Sequence, residues 1–109
     1  MDAYPLDEVS ALLFGRSIRL PVAAWIRSLP EGAAFYQREV AEAIGTQAQY
    51  MRRELDILCD LGMVIREPRA NGELRQFYVA ERSNPLWSII DAAVIASGSH
   101  AAPTGLRSV

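Results

Sequence analysis

Two side chains suited to recognising nucleic-acid bases stand four residues apart near the middle of the chain. Gln49 carries an amide that can donate and accept hydrogen bonds at an adenine edge, and Arg53 carries a guanidinium fork that matches a guanine edge. Residues four apart share one face of a helix, so the two groups can act together if this segment is helical. Gln47 and Tyr50 lie close to them in the sequence and could read base edges or touch a backbone.

Residues for catalysis or metal binding are scarce. His100 is the single histidine and lies in a stretch without periodicity, so no histidine-based triad or relay can be built on it. Cys59 is the single cysteine, which is too few ligands for a zinc site. We expect no enzyme, no catalytic residue, no metal and no cofactor. A redox role for Cys59 stays open, although a lone, partly buried thiol is more often inert.

The composition indicates one globular domain. The chain has 109 residues, of which 50% are hydrophobic and 22% charged, and this is enough to fold around a single core. A formal net charge of -2 argues against a strongly cationic protein that coats nucleic acid. No leader pattern opens the chain, and no apolar run is long enough to span a bilayer. The expectation is a cytoplasmic protein without membrane association.

Apolar periodicity and helix-stop signals divide the first 61 residues into short elements. Gly15 and Gly45 are placed to end helices, and Pro30 ends another. The predicted elements are a helix over 7–14, a helix from Ser17 to Pro30, an extended segment over 34–36, a helix over 37–44 and a helix from Thr46 or Gln47 to about Leu61.

A hairpin is predicted in the second half of the chain. Two β-rich runs, 63–67 and 74–80, flank an Asn71-Gly72 pair that favours a tight turn. Asn84 as the cap and Pro85 at the first position then open a last helix, from Leu86 to about Ala96.

A short helix, a turn, a second helix and a hairpin together predict an α+β winged helix-turn-helix fold. The fold is mostly helical, with the β-hairpin wing in the C-terminal half and terminal helices on either side. We assign residues 1–97 to this domain and 98–109 to a flexible tail.

Two segments carry a family resemblance. Residues Phe35–Gly45 (FYQREVAEAIG) and Tyr50–Val64 (YMRRELDILCDLGMV) resemble winged-helix transcriptional regulators of the ArsR-like group, including winged helices found alone or ahead of nucleotidyltransferase domains. The resemblance covers roughly residues 12–95 and implies the fold and a DNA-binding role. Metal sensing, common in that group, is not implied because the ligands are missing.

The predicted DNA contacts lie on the second helix of the pair and on the hairpin. The apolar stripe of Ala48, Met51, Leu55 and Leu58 leaves the intervening polar residues outside, among them Glu54 and Asp56. Arg69, nearest the turn, is expected to contact phosphate. The full predicted set is Gln47, Gln49, Tyr50, Arg52, Arg53, Arg66, Arg69 and Arg75.

Charge weighs against strong binding by a single copy. From Gln37 to Arg75 there are six arginines against seven acidic residues, and phosphate contacts supply most non-specific affinity. Dimerisation would double the contacts. The first and last helices carry wide apolar faces that predict an isologous homodimer, although they could instead complete a monomer core. The predicted interface is Leu6, Val9, Leu13, Leu86, Trp87, Ile90 and Val94.

The sequence therefore predicts a homodimeric, sequence-specific transcriptional regulator that binds double-stranded DNA. The recognition helix would enter the major groove, with the wing on the flanking backbone. The alternative is a winged-helix module that docks onto a partner protein in a transcription or segregation complex. A small-molecule effector is open, but the aromatic residues show no polar signature of a pocket and are interpreted as core or interface.

Overall fold

A computed structural model describes residues 6–97. The predicted α+β winged helix-turn-helix is confirmed, and every predicted element is present with its ends within three residues of the prediction. The described elements are α1 (Leu6–Phe14), α2 (Arg19–Ser28), β1 (Ala34–Tyr36), α3 (Gln37–Ile44), α4 (Ala48–Asp60), β2 (Val64–Arg66), β3 (Phe77–Ala80) and α5 (Trp87–Ser97). The predicted tail, with His100, lies outside the described residues.

The three strands form one antiparallel sheet in the order β1-β3-β2. Phe35 of β1 lies opposite Tyr78 of β3, and Ile65 of β2 lies opposite Val79. The predicted hairpin is the β2–β3 pair. The predicted extended segment at 34–36 is β1, and its pairing with β3 has no local signal in the sequence because it joins segments more than 40 residues apart.

The described chain divides into two compact units. The terminal unit comprises residues 6–24 and 88–97, and the central unit comprises Trp25–Trp87. In the terminal unit, the buried Ser10 hydroxyl donates to the carbonyl of Arg16 and accepts the Leu20 N–H at 2.9 Å, which fixes the turn between α1 and α2. Across residues 6–97, no helix has both the length and the apolar character needed to cross a bilayer.

Aromatic side chains organise the core of the central unit. The Phe35 ring stacks on Tyr78 at 5.8 Å and meets the edge of Trp25 at 6.0 Å. Trp87 is 3% exposed, and its indole N–H donates to the carbonyls of Met63 and Glu81 at 3.2 and 3.0 Å. Burial of an indole with its N–H satisfied avoids the cost of an unpaired polar group.

The end of α4 is fixed by a glycine and an asparagine. Gly62 has a φ of +77°, and a Cβ there would lie 3.2 Å from the Asn84 amide nitrogen. That amide donates to the Leu61 carbonyl at 2.9 Å, and its oxygen accepts the Leu86 N–H at 2.8 Å. Asn84 thus links the end of α4 to the start of α5, and its predicted capping role is confirmed.

Candidate nucleic-acid interface

The turn between α3 and α4 holds the two helices in a fixed relation. Gly45 adopts a left-handed conformation with φ +77°, and the next residue, Thr46, donates its N–H to the Ala41 carbonyl at 2.9 Å. The Gln37 amide then donates to the Ala48 carbonyl at 2.7 Å, joining the start of α3 to the start of α4. The first turn of α4 is therefore tied to the rest of the helix-turn-helix.

The buried face of α4 contains one charged residue that the sequence analysis placed outside. Glu54 is 1% exposed, so the prediction that it lies on the outer face is wrong. The physical reason is spacing, since positions 51, 54, 55 and 58 form a single buried stripe with the i, i+3, i+4, i+7 pattern. The Glu54 carboxyl is consequently removed from the outer surface of the helix.

The outward face of α4 presents the two predicted base-reading residues. Gln49 and Arg53 are both exposed and stand one turn apart. Within residues 6–97, neither side chain has a hydrogen-bond or ion-pair partner. Gln47 and Tyr50 are also exposed at the same end of the helix. This face can therefore offer its donors and acceptors to another molecule without first breaking internal bonds.

A second polar surface lies beside α4, in a groove of about 620 Å³ that we call the wing-side groove. Five arginines line it, contributed by α3, α4, β2 and the loop between β2 and β3. They are Arg38, Arg52, Arg66, Arg69 and Arg75. Four of these belong to the predicted DNA contacts, and the structure brings them together around one space; Arg38 was not predicted.

One carboxylate joins two of the groove arginines. The Arg66 guanidinium Nη2 donates to Asp56 Oδ1 at 2.6 Å, and Arg52 Nε lies 3.8 Å from Asp56 Oδ2. The bond to Asp56 raises the pKa of Arg66. All three side chains are more than 40% exposed, so the cluster contributes little to folding stability.

Arg75 is held on two sides. Its Nε and Nη2 donate to the Glu73 carboxylate at 2.9 and 3.2 Å, and its guanidinium lies over the rings of Tyr36 and Phe77 at 5.0 and 5.2 Å. The hydrogen bonds from Arg75 lower the pKa of Glu73 to about 2. Arg75 therefore fastens the start of β3 to the end of β1, and its donors face an internal partner.

Two groove arginines remain available. Within the described residues, Arg38 and Arg69 have no ion-pair or hydrogen-bond partner. Arg69 sits in the wing loop, whose base is closed where the Glu67 N–H donates to the Phe77 carbonyl at 2.8 Å and the Gln76 amide donates to the Glu67 carbonyl at 2.6 Å. The predicted wing arginine thus lies on a loop whose two ends are joined by hydrogen bonds.

Several acidic residues of the helix-turn-helix and wing have internal partners or are buried. Of the seven acidic residues between positions 37 and 75, Glu54 is buried, while Asp56 and Glu73 pair with arginines. A fourth, Glu39, accepts the Tyr36 N–H at 3.0 Å at the start of α3. Ion pairing leaves the net charge of this segment unchanged, because each paired carboxylate also occupies at least one arginine.

Cys59 is not part of a metal site within the described residues. Among residues 6–97, no three His, Cys, Asp or Glu side chains come together as a metal site. Cys59 is half-buried, and burial raises the pKa of its thiol, with nearby Arg66 acting in the opposite direction. A thiol with a raised pKa is a poor nucleophile near neutral pH.

The interaction partners of the arginines were mostly missed by the sequence analysis. Asp56 follows Arg52 by four residues, a helical spacing that could have identified the pair. The pairing of Asp56 with Arg66, and of Arg75 with Tyr36, joins different elements and has no local signal in the sequence.

Comparison with known proteins identifies the fold. No family model and no curated protein sequence matches the chain. Several solved structures do. Wild-type apo MarR from E. coli matches with a TM-score of 0.62 and 20% identity over 87% of this chain and 66% of that chain. The oxidized form of MarR from E. coli matches with a TM-score of 0.58 and 21% identity over 87% and 64%.

A mutant MarR from E. coli complexed with operator DNA also matches, with a TM-score of 0.59 and 20% identity over 87% of this chain and 64% of that chain. The chain spans just under two thirds of the length of these solved chains. The predicted ArsR-like subgroup has no match here and stays a prediction. The chain has the winged-helix fold of MarR.

Proposed function

We propose that this protein is a DNA-binding transcription regulator that reads sequence with the outward face of α4. The observation that carries the proposal is the exposed pair of Gln49 and Arg53, one turn apart and without internal partners in the described chain. Amide and guanidinium groups at this spacing can reach the edges of neighbouring base pairs in a major groove. Similarity of fold to a MarR that was solved with operator DNA supports the same conclusion.

The start of α4 favours a phosphate neighbour. The first turn of this helix contains no acidic residue, and Gln47 at the N-cap makes no side-chain cap hydrogen bond. Unsatisfied N–H groups and the helix dipole attract anions at such an end. We therefore assign Gln47 and Tyr50 to the rim of the contact, beside the base readers.

The wing supplies the flanking contact. Arg69 is exposed, unpaired within residues 6–97, and located on the loop that closes the groove. A free guanidinium there can pair with a backbone phosphate and fix the register of the protein on the duplex. Arg75 is better suited to holding the wing in place, because Glu73 and two rings already occupy it.

The regulator is proposed to act as a homodimer through its terminal helices. On α5 an exposed apolar stripe runs through Ile89, Ala92 and Ala96, with Ile95 64% exposed beside it. Trp87 and Ile90 of the predicted interface are buried in the single chain, so we place the contact on the stripe instead. Leu6, Leu86 and Val94 are half-buried, and the side chains of Val9 and Leu13 lie outside the described residues.

Selection of bound duplexes from a randomised pool tests the function. A sequence-specific regulator should enrich one motif, and a homodimer should enrich two half-sites related by a two-fold axis about one helical turn apart. Recovery of random sequences would contradict specific binding. Stable co-purification of a partner protein in place of DNA would favour the docking alternative.

Light scattering tests the homodimer separately. The wild type should have twice the mass of one chain, and Ile89→Glu should give a folded monomer because the position is solvent-exposed in the single chain. Ala43→Glu, at an exposed position of α3 outside the terminal helices, is the control for the added charge. A monomeric wild type at high micromolar concentration would contradict the dimer.

A further inference from the structure

We infer that Arg52 and Arg66 form a seat for a DNA backbone phosphate, and that the Asp56 carboxylate occupies this seat in the free protein. Asp56 is then an internal competitor that lowers the affinity for non-specific DNA. The inference rests on the proposed function. We call the guanidinium groups of Arg52 and Arg66 the phosphate seat.

The geometry is that of an anion site formed by two elements. Arg52 comes from α4 and Arg66 from β2, and both guanidinium groups converge on the same carboxylate, at 3.8 and 2.6 Å. Carboxylate and phosphate oxygens are recognised by guanidinium groups through the same charge-assisted hydrogen bonds. A phosphate oxygen can therefore take the place of either Asp56 oxygen.

Exposure makes the exchange possible. The side chains of Arg52, Arg66 and Asp56 are 75%, 46% and 41% exposed, so solvent and ligands reach all of them. Ion pairs this open to water are only weakly stabilising and are screened by salt. Replacing Asp56 by phosphate consequently requires little internal reorganisation.

The other arginines of the wing-side groove favour a ligand with several negative charges. The two guanidinium groups line the wing-side groove with Arg38 and Arg69, which are free within the described residues. These free cations attract a polyanion that passes along α4 and the wing, and a DNA backbone offers phosphates in succession. The Asp56 charge opposes that attraction and neutralises part of the positive charge of Arg52 and Arg66.

The consequence is a lower affinity for DNA of every sequence. Phosphate contacts are the same for every sequence, so each arginine that Asp56 occupies weakens specific and non-specific binding alike and leaves the free-energy difference between them unchanged. Gln49 and Arg53, which read bases, have no such competitor in the described chain. Occupation of the seat by Asp56 therefore raises the share of the binding energy that depends on sequence.

Fluorescence anisotropy with a random-sequence duplex tests this inference across a series of salt concentrations. Asp56→Asn should bind about 3-fold to 10-fold more tightly than wild type at roughly 0.1 M salt, with a slope of log K against log salt steeper by about one unit, because at least one further phosphate is contacted. Asp60→Asn removes the same charge from the same helix at an exposed position without an arginine partner in the described chain. It should leave the slope unchanged.

A double variant makes the test specific to the seat. Adding Arg66→Gln to Asp56→Asn should remove most of the gain, whereas adding Arg27→Gln, outside the groove, should preserve it. Equal effects of Asp56→Asn and Asp60→Asn would overturn the phosphate seat while leaving the proposed function intact. Failure of wild type and every variant to bind either the random duplex or a selected one would overturn both.

Discussion

Three of the five arginines in the wing-side groove are paired with carboxylates, whereas Arg53 on the outward face of α4 is not paired within the described chain. On the outward face, Arg53 stands beside Gln49 with no ion-pair partner among residues 6–97. In the groove, Asp56 holds Arg52 and Arg66, and Glu73 holds Arg75. The number of arginines on a surface therefore does not by itself indicate how readily that surface binds DNA. Free arginines can contact a ligand at once, whereas paired arginines shape the surface and must first exchange a partner.

The largest effect is expected from the free arginine on the outward face. Arg53→Ala should reduce the preference for a selected duplex over a shuffled one by about 1–3 kcal/mol, because a bidentate base contact is lost. Competition binding with the two duplexes measures it. Arg53→Lys keeps the charge but not the fork, so it should retain affinity for the shuffled duplex and still lose the preference. Unchanged preference in both variants would remove Arg53 from the reading surface.

The wing contains one arginine without a partner in the described chain, Arg69, and one that is paired with a carboxylate, Arg75. Arg69→Ala should weaken binding to all duplexes alike and flatten the salt dependence by about one unit of slope, since one phosphate contact is lost. Arg75→Ala should leave that slope nearly unchanged, because Glu73 already occupies the guanidinium. Salt titrations of both variants on one duplex provide the measurement. If Arg75→Ala flattens the salt dependence as much as Arg69→Ala does, both arginines contact a DNA phosphate.

The Arg75–Glu73 pair also has a pH signature. Its hydrogen bonds lower the pKa of Glu73 from 4.5 to about 2, so the pair is intact at neutral pH. Because the folded pKa is depressed, the stabilisation is fully present above about 4.5 and is lost as the pH falls through about 2. An NMR titration of the Glu73 side-chain carbon should show this low midpoint, and Arg75→Gln should move it up toward 4.5. A wild-type midpoint near 4.5 would show that the pair is not maintained in solution.

The smallest effect is expected at Cys59, beside the phosphate seat. Burial raises the pKa of this thiol, and Asp56 raises it further, so its reaction with a disulfide reagent at pH 7 should be slower than that of a free cysteine. Asp56→Asn should quicken the reaction modestly, and Asp60→Asn is the comparison because that carboxylate also raises the thiol pKa, by less. Reaction as fast as free cysteine would contradict the burial of this side chain.

Local sequence signals predicted the elements well because their causes are local. Gly45 and Gly62 end helices through left-handed backbone, and Asn84 caps through a bond two residues ahead, so each signal lies within a few residues of its effect. The same holds for the exposed spacing of Gln49 and Arg53. These features account for the predicted fold and for the exposed outward face of α4.

Features that depend on contacts between distant segments were not predictable in this way. The β1–β3 pairing and the Arg75 contact with Tyr36 join residues separated by about 40 positions in the chain. Glu54 was predicted to be exposed because carboxylates usually are, but its position in the i, i+3, i+4, i+7 stripe of α4 buries it. The sequence therefore predicted which residues could bind DNA, but not which of them are already engaged.

NMR shift mapping locates the residues that contact DNA. Backbone amide shifts of the labelled protein, recorded as a selected duplex is added, should change most over residues 47–53, at the start of α4, and over the wing loop at 67–76, and little over α1. Each shift should saturate at the same DNA concentration. Shifts confined to α1 and α5, or no change with any duplex, would contradict DNA binding through α4 and the wing loop.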